Sequence, residues 1–158
     1  MATEIERKFL VDMDRLGPLE SGVAMRQGFV ATAEPTVVRV RIADNRAWLT
    51  LKSAGKGAVR TEFEYPIPAA DAEQILARMC GGKAIEKTRY LRQYGDHLWE
   101  IDVFEGSNAG LVVAEVELGS EQEAFQRPGW VTEEVTGEAR YYNVNLLSHP
   151  FSEWPESR

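Results

Sequence analysis

Cysteine and histidine are almost absent from this sequence of 158 residues, which has one cysteine, Cys80, and two histidines, His97 and His149. A single thiol forms no intramolecular disulfide and no Cys-based zinc site, and two isolated imidazoles do not reach metal-ligand spacing. A reducing compartment fits that economy. Long apolar runs are missing as well: no stretch approaches the roughly 18 residues of a membrane helix. Met1-Ala2-Thr3-Glu4-Ile5-Glu6-Arg7-Lys8 is charged where a secretory leader needs an apolar run, so the expectation is a cytoplasmic protein. Basic residues are the minority, 18 Lys and Arg against 25 Asp and Glu, for a formal charge of −7. As a bulk property this argues against non-specific binding to nucleic acid or to an anionic membrane.

Familiar catalytic frames are lacking too. Gly55-Lys56-Gly57 does not complete a G-x-x-x-x-G-K-[ST] phosphate loop and reads as a hairpin turn, and no serine nucleophile elbow occurs. Cys80 before Gly81 reads as a buried helix end, His97 beside Asp96 as a turn residue, and the four tryptophans, spread without basic interleaving, as packing residues. What remains is the make-up of a folded chain, 44% hydrophobic and 27% charged. Its length is near the roughly 150 residues of one domain, enough to bury about 70% of the unfolded surface. No repeat, low-complexity tract or linker divides it. The reading is one domain over 1–150 and a loose tail over 151–158.

Most of the chain alternates with period 2 rather than stepping by 3.6. Strand composition covers Glu4–Val11, Gln27–Thr32, Val37–Ile42, Arg46–Lys52, Arg60–Ile67, Ile85–Tyr94, His97–Phe104 and Leu111–Leu118, about eight strands, with Ala43-Asp44-Asn45 and Gly95-Asp96 as tight turns. Arg7, on the apolar side of the first strand, is a blemish. Ile75, Leu76 and Met79 share one face of a predicted helix over 69–80 that stops at Gly81-Gly82. Shorter helices are predicted over 121–126 and 142–147. The fold class is mostly β (α+β), antiparallel, with a few peripheral helices.

The polar side of these strands carries the chemistry. Residues i and i+2 of a strand face the same way, about 6.5–7 Å apart. Strand after strand places a same-sign pair at that spacing: Glu4 and Glu6, Arg39 and Arg41, Glu62 and Glu64, Lys87 and Arg89, Glu100 and Asp102, Glu115 and Glu117, with Lys8 and Lys52 as added cations. Solvated strand faces mix signs because like neighbours repel. Repeated like pairs suggest charges held for a ligand, cations for phosphate oxygens and carboxylates for a hard divalent cation. An eight-stranded barrel encloses a small ligand with inward and outward positions alternating. If the charges point inward, then Val38, Val40, Ile42, Leu49, Leu51, Phe63, Tyr65, Ile101, Val103, Val116 and Leu118 point outward. They need cover from the 69–80 helix, the C-terminal segment and, as a homodimer, a second copy of the chain.

In chain order, Glu4-Ile5-Glu6-Arg7-Lys8, Arg39-Val40-Arg41, Thr50-Leu51-Lys52, Glu62-Phe63-Glu64, Glu86-Lys87-Thr88-Arg89-Tyr90, Glu100-Ile101-Asp102-Val103-Phe104, Glu115-Val116-Glu117 and Glu133-Glu134-Val135-Thr136 with Arg140-Tyr141 resemble the CYTH superfamily, the triphosphate tunnel metalloenzymes. The opening E-x-E-x-K is its signature, and the short length is similar to the compact bacterial members that hydrolyse inorganic tripolyphosphate. The resemblance implies an eight-stranded antiparallel barrel forming a charged tunnel, which binds a linear triphosphate with one or two ions of Mg²⁺ or Mn²⁺. It implies Glu4, Glu6 and Glu117 as ligands of a first metal. Glu62, Glu64, Asp102 and Glu115 would hold a second metal or orient the attacking water. It further implies Lys8, Arg39, Arg41, Lys52, Lys87 and Arg89 as a phosphate cradle, Lys87 also acting in catalysis, and Arg140 closing one mouth. Phe29 departs from similar bacterial members, which carry tyrosine there. The expected activity is hydrolysis of tripolyphosphate to pyrophosphate and orthophosphate. The alternatives are adenylate cyclase, a nucleoside or thiamine triphosphatase on the same site, or a polyphosphate-binding module without turnover.

Overall fold

Among the described residues nine strands form one sheet in the chain order fifth, fourth, third, second, sixth, seventh, eighth, first and ninth, and a further pairing of the fifth with the first closes the first eight of that order into an antiparallel barrel. The computed structural model describes residues 3–33, 35–53 and 58–155; the turn expected at Gly55-Lys56-Gly57 lies outside them. The strands are β1 (Thr3–Val11), β2 (Val23–Val30), β3 (Val37–Ala43), β4 (Arg46–Lys52), β5 (Val59–Ile67), β6 (Ile85–Tyr94), β7 (His97–Phe104), β8 (Val112–Glu117) and β9 (Val131–Glu134). The helices are α1 (Met13–Leu16), α2 (Ala69–Met79) and α3 (Asn143–Ser148). Single 3₁₀ turns occupy Gly106–Asn108, Ala139–Tyr141 and Phe151–Glu153. No described helix is long and apolar enough to cross a membrane.

The eight strands read from the sequence are the barrel. The ninth was not anticipated. β1 pairs with β5 only from Thr3 to Ile5, and further along the same edge β9 takes over at Phe9 and Val11. This explains Arg7: its guanidinium makes a bidentate pair with Glu134 of β9 (2.7 and 2.6 Å) and lies over the Phe125 ring. The helix expected over 121–126 does not form; its residues begin as a turn and continue irregularly. Phe125 and Trp130 instead face the outer side of β1, β7 and β8, edge-on to Trp99, in a cluster with Phe9, Ile101, Ala114 and Val116. Aromatic area is what that segment contributes, and aromatic contacts need no helical period.

Helix α2 covers Val40, Ile42, Ala47 and Leu49 through Ala72, Ile75 and Leu76; of the predicted face Ile75 and Leu76 pack there, whereas Met79 is 59% exposed. The approach to β2 is close. A Cβ on Gly28 would sit 2.7 Å from Leu76 Cδ2 and 3.0 Å from Cys80 Sγ, so only glycine allows the helix this near the wall. Cys80 is the buried helix end the sequence suggests.

The C-terminal segment has a different place from the one expected. It does not cover the outer face; it crosses one end of the barrel. Leu10, Ile85, Phe104 and Val113 share the inward side with the charged residues two or four positions away, and they pack with Tyr141, Leu146 and Trp154. Nor is 151–155 a loose tail: Trp154 is 1% exposed, lies edge-on to Tyr141 and Phe151, and donates to the His149 carbonyl. Burial of one large indole is enough to fix a short terminal segment. On the outer side of β5, Phe63 and Tyr65 remain 48% and 52% exposed. The expectation of cover from a second copy therefore concerns that strand.

Candidate active site

The inward residues surround a cavity of about 860 Å³. Among the residues read from the sequence, Glu4, Glu6, Lys8, Arg39, Arg41, Lys52, Glu62, Glu64, Lys87, Arg89, Glu115 and Glu117 all line it. Asp102 is buried in its wall. Strand register explains the gathering. Glu6 faces Glu117 and Lys8 faces Glu115 across β1 and β8, Lys52 faces Glu62 across β4 and β5, and Arg89 faces Asp102 across β6 and β7. A smaller opening is lined by Thr3, Glu4, Glu62, Glu64 and Glu117.

The β6–β7 wall is an ion-paired network. Asp102 accepts from Lys87 Nζ at 2.7 Å and from Arg89 at 2.8 and 3.0 Å; Arg89 also reaches Glu100 at 3.0 Å. Burial raises the cost of every charge here, but the two cations hold the Asp102 carboxyl below its ordinary value. Burial also pulls the Lys87 ammonium down to about 7; Asp102 and, less, Glu115 oppose that fall, and Arg89 and Arg41 add to it. Lys87 is further bonded to Asn143 Oδ1 at 3.0 Å. Gln27, wholly buried, links two parts of this wall: its amide nitrogen donates to the same Asn143 oxygen, and its Oε1 accepts from Arg41 Nε at 2.8 Å.

The wall of β1, β5 and β8 is crowded with like charges. Burial, then Glu115 and Glu4, push the Glu6 carboxyl well above its ordinary value. Burial and a hydrogen bond with Glu4 bring Glu62 up to about 7. Lys52 stands 3.1 Å from Glu4 Oε2, yet that buried oxygen completes no hydrogen bond. Among the described residues no three acidic, histidine or cysteine side chains are grouped closely enough to hold a metal as they stand. The donor set nonetheless fits a hard divalent cation: all donors are carboxylate oxygens, the buried Glu4 Oε2 completes no hydrogen bond beside its ion pair with Lys52, and burial with neighbouring carboxylates raises Glu6 and Glu62.

Two residues expected in the site have surroundings other than those expected. Arg140 is absent from the cavity lining; its guanidinium lies 4.3 Å from the Trp154 ring centre and against Tyr141, anchoring the C-terminal segment. Asp102, expected beside a metal, has both oxygens engaged by Lys87 and Arg89. The uncharged Gln27, Thr50 and Asn143 escaped the sequence reading. Thr50 is buried and bridges Arg39 and Glu64 at 3.2 and 2.9 Å. Arg60 was also missed, although period 2 places it on the inward side with Glu62 and Glu64.

Within the antiparallel barrel, cations and carboxylates line one cavity, a set of groups whose chemistry suits phosphoryl oxygens and a hard cation. The chain belongs to the CYTH domain family, whose model matches residues 2–149. It is 42% identical to an inorganic triphosphatase of Acetivibrio thermocellus over 99% of this chain and all of the relative. It is also 42% identical to an inorganic triphosphatase of Nitrosomonas europaea over 94% of this chain and 99% of that protein. Among solved structures, an inorganic triphosphatase superposes with a TM-score of 0.65 at 38% identity, covering 93% of this chain and 95% of the other. A Hippeastrum protein studied as an adenylyl cyclase, with a dominant triphosphatase activity, shares the fold at a TM-score of 0.58 and 17% identity, over 74% of this chain and 80% of the other.

Proposed function

We propose that this protein hydrolyses a linear triphosphate, most simply inorganic tripolyphosphate, to pyrophosphate and orthophosphate with Mg²⁺ or Mn²⁺ as cofactor. The observation that carries the reading is the presence, in one cavity, of seven cations and seven carboxylates, with burial and neighbouring carboxylates raising Glu6 and Glu62 above their ordinary values. Binding a polyanion alone requires only the cations. Carboxylates in equal number to the cations fit a metal beside the polyanion, and the likeness to inorganic triphosphatases over nearly the whole chain supports turnover.

Lys8, Arg39, Arg41, Lys52, Lys87 and Arg89 hold the phosphoryl oxygens and neutralise their charge. Arg39 contacts Glu64 and Thr50, and Lys52 contacts Glu4; phosphoryl oxygens would compete with these carboxylates for the same donors. Glu4, Glu6, Glu62, Glu115 and Glu117 would hold the cation, which when bound offsets phosphate charge and lowers the pKa of a coordinated water. Water adds to a terminal phosphorus as its bond to the bridging oxygen breaks, and that oxygen keeps the electron pair and leaves with pyrophosphate. Lys87, poised near 7 and fixed by Asp102 and Asn143, is placed to hold or move a proton at a phosphoryl or water oxygen. Asp102 positions Lys87 and Arg89.

The test is phosphate release from tripolyphosphate, ATP, thiamine triphosphate and pyrophosphate, each with Mg²⁺, Mn²⁺ or EDTA, and cyclic AMP measured in the ATP reactions. Orthophosphate and pyrophosphate from tripolyphosphate, abolished by EDTA, is the expected result. No release from any substrate, or cyclic AMP as the main product from ATP, would overturn it.

A further inference from the structure

The inward cations divide by what they touch. Arg39, Lys52, Lys87 and Arg89 each stand within 4 Å of a carboxylate oxygen. Arg60 does not. Among the described residues it makes neither a hydrogen bond nor an ion pair, and its one partner is the face of Tyr142, 4.4 Å from the guanidinium carbon. Its cross-strand neighbour Glu4 offers no compensation, because that carboxylate is engaged with Lys52 and with Glu62.

Tyr142 leads into α3, so the long Arg60 side chain reaches from the β5 wall toward the segment that crosses the barrel end. On the same ring, Lys8 Nζ lies 5.8 Å from the centre, with a 3.4 Å bond to the Tyr141 carbonyl. Two cations therefore converge on one aromatic side chain inside the cavity, and among the described residues neither has a carboxylate in ion-pair contact. A ring face supplies no hydrogen-bond acceptor in the plane of the guanidinium, so the Arg60 fork keeps its N–H donors for a ligand, and a charge-assisted bond to an oxyanion is stronger than the stack it would replace or accompany.

We propose that Arg60, held in place by Tyr142 and assisted by Lys8, is a further phosphoryl-oxygen ligand, forming an anion subsite on the α3 side of the cavity. The inference rests on the triphosphatase reading for the identity of its ligand, a linear polyphosphate. Arg60 adds a cation that the like-charge doublets do not contain.

The experiment compares wild type, Arg60→Ala, Arg60→Lys and Tyr142→Leu in two measurements: calorimetric binding of tripolyphosphate in EDTA, and steady-state hydrolysis of tripolyphosphate with Mg²⁺. Arg60→Ala is expected to raise Kd and KM roughly ten- to hundredfold, the loss of a hydrogen bond to a charged group, while kcat changes less than threefold. Arg60→Lys recovers part of the binding, and Tyr142→Leu raises Kd by a few-fold. Thermal melting within a few degrees of wild type identifies these as binding effects, and Arg60→Lys, which keeps the charge and most of the stem, carries the same test if the alanine variant melts early. Kd and KM within twofold of wild type for Arg60→Ala, in a protein whose wild type hydrolyses tripolyphosphate, would overturn the subsite and leave the activity standing. A wild type that neither binds nor hydrolyses tripolyphosphate would overturn both.

Discussion

On β6 and β7, Asp102 sits between Lys87 and Arg89 with both oxygens bonded, whereas on β1, β5 and β8 the carboxylates of Glu4, Glu6, Glu62 and Glu115 face one another. Both walls are buried and both carry charged doublets, so burial and composition do not separate them. What separates them is counter-charge. The first wall contains its own at hydrogen-bond distance; on the second, Lys52 and Lys8 help to hold Glu4 and Glu115 below their ordinary values, while burial and neighbouring carboxylates leave Glu6 and Glu62 raised. Strain of this kind is tolerated where function needs it and the surrounding fold supplies the stability.

The sharpest way to break this contrast is to neutralise one member of the crowded wall. Glu6→Gln should remove metal-dependent hydrolysis of tripolyphosphate by at least about a hundredfold, the order expected when a charge aligned with the reacting phosphate is lost, while the melting temperature holds or rises. A fall in stability together with near-wild-type turnover would reverse the roles of the two walls. Asp102→Ala tests the other side. It leaves the buried Lys87 without its carboxylate and Arg89 with Glu100 alone, and should cost about 3–5 kcal/mol, on the order of a 10 °C drop in melting temperature for a chain of this size. Calorimetric unfolding of the two variants side by side gives the comparison directly.

Next in size is the cation itself. At about a hundredfold excess over its Kd, Mg²⁺ should stabilise the folded chain by about 2.7 kcal/mol, raising the melting temperature by roughly 5–10 °C, with EDTA reversing the gain and Glu6→Gln abolishing it. The smallest effect is a pH dependence. Glu62 titrates near 7 in the folded chain against an ordinary value of 4.5, so the folded state binds its proton more tightly than the unfolded state. Its stabilising contribution is full below about pH 4.5 and is lost as the pH rises through 7. Without metal, wild type should lose stability relative to Glu62→Gln between pH 5 and 8; parallel melting curves for the two across that range would remove Glu62 from the crowded group.

Much of this was legible because a strand writes its two faces into alternate residues. Glu4 and Glu6, Arg39 and Arg41, or Lys87 and Arg89 announce a shared side without knowledge of the neighbouring strand. The rule looked for like signs, and so passed over Arg60, a cation two residues before Glu62. Gln27 and Asn143 carry no charge, and their meeting joins β2 to α3 across 116 residues, a separation at which no local pattern exists. Strand β9 has four residues and owes its pairing to the edge of β1 left vacant beyond β5, a property of the barrel rather than of Val131–Glu134. Phe125 and Trp130 lie in a stretch without period, and only the apolar face they cover explains them. Asp102 shows the reverse case: the doublet places it correctly on the inward face, but its partners, not its position, decide that it serves the cations.

The pairing of β1 has a consequence for how the protein folds. Its ladder partners begin at Val59 and extend to Glu134, so the strand that carries Glu4, Glu6 and Lys8 has no neighbour close in sequence. The hairpins β3–β4 and β6–β7 are joined by short turns and form with little loss of chain entropy, while β1 must close long loops on both of its edges. Barrel closure, and with it the meeting of the acidic wall, is therefore expected late in folding, after the hairpins that bring Lys87, Arg89 and Asp102 together. The mutual repulsion of those carboxylates then falls on a step at which most of the native contacts already exist to oppose it.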